Sequence, residues 1–183
     1  RQMCIRDSFI SGKHNYIDIG TGGGFPGLPL AIMSDNNTLL VDSIGKKINA
    51  VQSMIDEIGL GERVRAEKLR AEEIPNDYKQ KFDFVTFRAV AKTNILLEYA
   101  EPFLAPQGTL IVMKANVDEI ELQDASQAAK IFGYENVSRE TFELPNDLGH
   151  REILLYKKIG KSKIKLPRKT GMAKSNPFVA RRD

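Results

Sequence analysis

Residues 16–32, YIDIGTGGGFPGLPLAI, constrain the fold of this chain more than any other stretch. An apolar strand pattern, Tyr16 to Ile19, runs into five glycines within the eight residues Gly20 to Gly27. An apolar helix pattern follows directly. Glycines let the backbone turn sharply and let a ligand approach with no Cβ in the way. Pro26 suits the first turn of the following helix, where a missing N–H costs nothing. A strand, a glycine turn and a helix in this order form the opening unit of a nucleotide-type α/β domain.

The rest of the chain continues the alternation. Strand patterns fall at 16–20, 38–42, 63–67, 82–87, 108–114 and 152–158. They are runs of β-branched and aromatic residues of the buried type. Between them, Ile48, Val51, Ile55 and Ile58 share one face of a helix over 45–58. Ile95, Leu96, Tyr99 and Leu104 do the same over 92–104, which Pro106-Gln107-Gly108 ends. A more polar helix is expected over 118–132. Such alternation predicts an α/β, Rossmann-like fold: a mainly parallel twisted sheet with right-handed crossovers and helices on both faces. Ligands on such sheets bind beyond the carboxyl ends of the strands. Here those ends are Gly20, Asp42, Leu69 to Glu72, and Phe87-Arg88.

Three segments are expected: an altered or residual amino-terminal segment at 1–15, one α/β domain at 16–159, and a basic arm at 160–183. Charge sharpens the last boundary. Residues 157–183 carry ten Lys/Arg against the single acid Asp183, a net of +9; the remaining residues carry 17 Lys/Arg against 23 acids, a net of −6. A basic tail on an acidic body suits a polyanionic partner. Lys165, Arg168, Lys169 and Lys174 are spread among Pro and Gly, a spacing that fits an arm tracking phosphates. No apolar run approaches a membrane span, and residues 1–16 lack the apolar core of a signal peptide. With Cys4 the only cysteine, neither an internal disulfide nor a cysteine metal site is available. The expectation is a cytoplasmic, metal-free, monomeric protein.

The glycines alone leave the ligand open. Gly22 to Gly27 fits G-x-G-x-x-G, the dinucleotide pattern, and Asp18 to Gly24 fits D-x-G-x-G-x-G, the S-adenosylmethionine pattern. Asp42, 20 residues past Gly22, can hold ribose hydroxyls in either case. Three features favour S-adenosylmethionine. Asp18, at a strand end, can serve a cationic ammonium or sulfonium ligand, whereas an anionic pyrophosphate gains nothing from it. Hydride transfer needs acid–base partners and a substrate domain, and the chain offers only His14 and His150 and little spare length. Ala71-Glu72 follows the third strand, where methyltransferases hold the adenine edge. No Gly-Lys-Ser/Thr follows the glycines, so a P-loop is excluded.

Methyl transfer from a sulfonium needs orientation, and a base only if the acceptor loses a proton. Pyrimidine C5 would need a cysteine nucleophile, and Cys4 precedes the first strand. Exocyclic amines call for an Asn/Asp-Pro-Pro-aromatic loop after the fourth strand, which here ends Phe87-Arg88-Ala89. A ring nitrogen with a free lone pair, such as guanine N7, needs no base.

The segment Asp18 to Ile32 resembles the signature of the bacterial 16S rRNA guanine-N7 methyltransferase G family, formerly glucose-inhibited division protein B. The resemblance continues through Val41-Asp42-Ser43, Gly45-Lys46-Lys47, Arg70-Ala71-Glu72-Glu73, Arg88-Ala89-Val90-Ala91, Lys114 and the tail Lys165 to Phe178. It implies a class I S-adenosylmethionine-dependent methyltransferase over 16–159, acting on N7 of a guanine in the 530 loop of 16S rRNA. It places Gly20 and Phe25 as loop contacts to the cofactor, with Gly22 and Gly24 beside them. It also places Ala71 and Glu72 around the adenine, Arg88 at the cofactor–substrate junction, and the arm on RNA phosphates. Lys114 and Arg151 match family positions expected to contact RNA, Arg151 equally a structural ion pair. No residue is expected to act as a general base. The chain departs from the pattern at Phe87 (usually Ser), Ala115 (Gly), Leu166 (Tyr) and Ala173 (Pro), and most of the family's amino-terminal helices have no counterpart. Two other readings remain: a non-catalytic RNA- or ribosome-binding module, and a small-molecule methyltransferase.

Overall fold

The computed structural model describes residues 12–181. Residues 1–11 of the expected amino-terminal segment, with Cys4, lie outside them. The described chain builds a seven-stranded sheet in the order β3-β2-β1-β4-β5-β7-β6. The strands are β1 (Asn15–Ile19), β2 (Asn37–Asp42), β3 (Val64–Lys68), β4 (Phe82–Arg88), β5 (Leu104–Lys114), β6 (Tyr134–Glu143) and β7 (His150–Lys158). The helices are α1 (Gly27–Ile32), α2 (Gly45–Glu57), α3 (Thr93–Ala100), α4 (Glu119–Phe132) and a short α5 (Met172–Ser175).

Strands β3, β2, β1, β4 and β5 run parallel; the inner strands β2, β1 and β4 are largely buried, as a sheet covered by helices on both faces requires, while β3 at the edge buries only Val64. Side-chain alternation along each strand sorts two cores. Leu40 and Val64 face α1 and α2, where they meet Leu28, Ala31, Val51 and Ile55. Leu39, Val41, Val85 and Phe87 face α3 and α4 in the larger cluster. The chain steps outward from β1 to β2 and β3, then returns to place β4 on the other side of β1. The strand order therefore reverses between β1 and β4, where doubly wound sheets open a ligand crevice.

The sheet departs from the sequence reading in three places. Strand β6 is not visible in the sequence, because it is an edge strand whose YENVSRETFE buries only Tyr134 and Ser138. Strand β7 runs antiparallel between β5 and β6, with Leu110 opposite Tyr156, so its start lies on the same face as the carboxyl end of β5. Helix α3 stops at Ala100, and Leu104 opens β5 instead of closing the helix. By contrast α4 ends as its sequence dictates. Asp118 caps it by accepting from Glu121 N at 2.7 Å, and Gly133 closes it in the left-handed region.

The arm folds back onto the domain. Ile164, Leu166 and Phe178 pack against the larger core, and Ala173 is buried. The Phe178 ring meets Phe132 edge to face at 5.5 Å, and its carbonyl accepts from Asn94 Nδ2 at 2.7 Å. These apolar anchors follow no period, so the sequence shows only the charges between them.

Candidate cofactor cleft

Asp18 organises the glycine loop from behind. Its Oδ2 accepts from Gly27 N at 3.0 Å and its Oδ1 from Thr86 Oγ1 at 2.7 Å. With the Thr86 proton given to the carboxylate, the Tyr16 phenol is the donor in its 2.7 Å contact with Thr86. Burial raises the Asp18 carboxyl, while Thr86, Gly27 N and the Arg88 charge pull it back down. Asp18 is buried and does not line the cleft described below; its carboxylate holds the glycine loop from behind. The physical reason is room. Gly27 lies so close that a Cβ there would sit 2.8 Å from the Asp18 carboxylate and 2.2 Å from Leu40.

Asp42 fixes the loop from the side. Its Oδ2 accepts from Gly22 N at 3.1 Å and its Oδ1 from Ile44 N at 2.9 Å, with Lys47 Nζ 3.8 Å away. Gly20, Gly22 and Gly24 all hold positive φ. The outer face of the loop is open: a Cβ on Gly23 would meet nothing within 4 Å. Phe25 stands at the loop's tip, 57% exposed.

Beyond β1, β2 and β3 lies a cleft of about 310 Å³. The structure brings Gly20, Asp42, Ala71, Glu72 and Lys174 together around it. Ser43, Lys47, Arg70 and Tyr99 complete its polar lining; of these, the sequence placed only Arg70 at a ligand-facing strand end. Burial and the neighbouring Glu72 carboxylate push the Tyr99 phenol up to about 12, so it stays a neutral donor. Val90 closes one side. Its Cγ2 lies where a Gly20 Cβ would be, at 2.5 Å. Gly22, Gly24 and Phe25 sit on the loop outside the lining, and Arg88 is exposed at the end of β4. The open glycine face, a carboxylate at the end of β2 and donors beside Glu72 suit an adenosyl group carrying a cationic amino-acid chain.

The expected RNA contacts divide. Lys165 and Lys169 are exposed. Lys114 is turned inward: its Nζ donates to Ala91 O at 2.9 Å and pairs with Glu121 at 2.7 Å. Glu121 in turn accepts from Thr93 N and Thr93 Oγ1, so this cluster fixes the segment between β4 and α3. Arg151 donates to His150 O and Leu148 O of its own turn. Arg168 makes a two-pronged pair with Glu98, at 2.7 and 2.6 Å, and stacks over Phe178. Each of these three cations has donors engaged by partners within the protein. The signal that could have found the Arg168 pair is Glu98 itself, one acid inside the apolar run TNILLEYA. Among the described residues no His/Cys/Asp/Glu group could hold a metal ion, and no helix is long and apolar enough to cross a membrane.

Sheet order, glycine loop and cleft together define the fold of the class I, S-adenosylmethionine-dependent methyltransferases. Among solved structures, the chain superposes on the Burkholderia thailandensis 1,6-didemethyltoxoflavin-N1-methyltransferase, described with bound S-adenosylhomocysteine, with a TM-score of 0.67 at 16% identity, over 86% of this chain and 76% of that one. It also superposes on the [4+2]-cyclase SpnF with a TM-score of 0.68 at 14% identity, over 86% and 80%. At such identities the likeness is one of fold alone. Sequence decides the rest. Residues 5–151 match the family model GidB, rRNA small subunit methyltransferase G. Ribosomal RNA small subunit methyltransferase G of Alkaliphilus oremlandii is 39% identical over 96% of this chain and 74% of its own length. The Lactococcus lactis subsp. lactis protein of the same name is 40% identical over 88% and 68%. The chain belongs to this family of rRNA methyltransferases.

Proposed function

We propose that this chain transfers a methyl group from S-adenosylmethionine to N7 of a guanine in the 530 loop of 16S rRNA. The observation that carries the reading is the convergence of Gly20, Asp42, Ala71 and Glu72 on one cleft at the strand carboxyl ends, in a chain of this family. The bound cofactor supplies a methyl group already activated by its sulfonium. Asp42 keeps accepting capacity beyond its bonds to Gly22 and Ile44, enough for ribose hydroxyls. Ala71 and Glu72 flank the adenine, and Gly20, Gly22, Gly24 and Phe25 present backbone and ring to the remainder. Arg88, exposed at the end of β4 and one residue before the cleft-lining Ala89, orients the target base. Lys165 and Lys169 meet RNA phosphates.

Guanine N7 carries a free lone pair, so the residues around it need only hold donor and acceptor in line. Asp18 is buried behind the loop, and His14 precedes β1 at the opposite end of the sheet. The test is mass mapping of 16S rRNA after incubating small subunits that lack the modification with this chain and S-adenosylmethionine. One added methyl at a 530-loop guanine, lost in Arg88→Ala, is expected. A methyl on another base, or none, overturns the assignment. The rate is expected to be flat through neutral pH. A steep limb there, removed by replacing one carboxylate or histidine, would sink the base-free mechanism.

A further inference from the structure

The sequence places Lys174 among the arm's phosphate contacts; in the fold it is exposed and also borders the cleft. It lines the cleft with Asp42, Ala71, Glu72 and Tyr99. The turn that carries it is fixed at three points. Gly171 N donates to Glu72 Oε1 at 2.7 Å, Ala173 is buried in the core, and Arg168 grips Glu98, the neighbour of Tyr99. Lys165 and Lys169 have no such placement. Lys174 forms no ion pair among the described residues, so its ammonium is available to a ligand.

We propose that Lys174 is a cofactor-binding residue, and that the arm turn Gly171–Ser175 is a wall of the S-adenosylmethionine site. The inference rests on the cofactor reading above. Its chemistry is specific about orientation. A sulfonium is repelled by an ammonium, so the cation of the cofactor belongs at the glycine-loop end of the cleft, away from Lys174. The Glu72 and Tyr99 end suits the neutral, acceptor-rich adenosine, to which Lys174 donates. The arm therefore completes the cofactor site rather than only reaching outward to RNA.

Calorimetric titration of the full chain with S-adenosylhomocysteine tests this directly. Lys174→Ala is expected to weaken binding about tenfold, the loss typical of one charged hydrogen bond. Lys174→Arg is expected to restore most of it, and Lys161→Ala, also on the arm, to leave it unchanged. Lys174→Met carries the same expectation as the alanine variant if that one fails to fold. In parallel, binding of a 530-loop RNA fragment across salt concentrations should show the wild-type slope for Lys174→Ala. Undiminished cofactor affinity in Lys174→Ala, or a slope shallower by one phosphate contact, overturns the inference while the cofactor reading stands. No binding by the wild-type chain overturns both.

Discussion

The glycine loop and the carboxyl-terminal arm border one cleft, yet contacts of very different range hold them. The loop is secured by backbone groups answering nearby carboxylates: Gly27 to Asp18 nine residues away and Gly22 to Asp42 twenty away. The arm is secured across far longer separations: Arg168 to Glu98 over 70 residues, Asn94 to Phe178 over 84, and Gly171 to Glu72 over 99. Short-range contacts form along with the βα units that contain them. Long-range contacts require the sheet, α3 and α4 to be in place first. The loop is thus part of the fold, while the arm is a wall added to it.

The largest expected effect falls on the arm. Arg168→Ala leaves the buried Glu98 carboxylate unpaired, and should cost about 3 kcal/mol in urea unfolding while exposing residues 160–171 to protease. A loss no larger than that of a surface lysine would mean the arm is not anchored there. Next comes the loop. Gly27→Ala drives a Cβ into Leu40 and Asp18 and should cost about 2 kcal/mol by the same measurement. Gly23→Ala, the same change four residues earlier in open space, should stay within about 0.5 kcal/mol. Equal losses at the two positions would break the account of the loop.

A smaller effect separates the acids by sign. Burial alone would raise the Glu152 carboxyl, but Arg139 and Val117 N, both hydrogen-bonded to it, bring it below its ordinary 4.5. Its contribution is present above that value and lost as pH falls through the lower, folded one. Asp18 behaves oppositely. Raised by burial, it holds its proton better when folded, so it lowers stability as pH climbs from 3.8 through its folded value. Urea midpoints measured between pH 3 and 7 should lose the rising component in Glu152→Gln and the falling one in Asp18→Asn. The smallest change is Lys165→Ala, expected to reduce the salt slope of RNA binding by about one and to leave stability alone.

Much of this was legible beforehand. The loop, Asp42, and Ala71-Glu72 declare themselves through glycine content, strand ends and spacing, all local properties. The departure at Phe87 also resolves in the fold: the side chain is buried in the larger core, away from the cleft. Edge strand β6 stayed hidden because burying two side chains leaves no alternation to read. Tyr99 was read only as a core-facing helix residue, and its second role depends on where Glu72 lands.

The order of residues by itself determined the α/β alternation, the turn at Gly20 to Gly27 and a ligand site at the strand carboxyl ends. Each follows from conformational preferences and periodicities that act over a few neighbours. It also supplied ten cations near the carboxyl terminus, without saying which would face outward. Tertiary structure alone decided that Arg168 meets Glu98, that Lys114 meets Glu121 and that Lys174 borders the cleft. A charge is drawn to whichever opposite charge or open cavity the fold brings near it, and that neighbour lies tens of residues away along the chain.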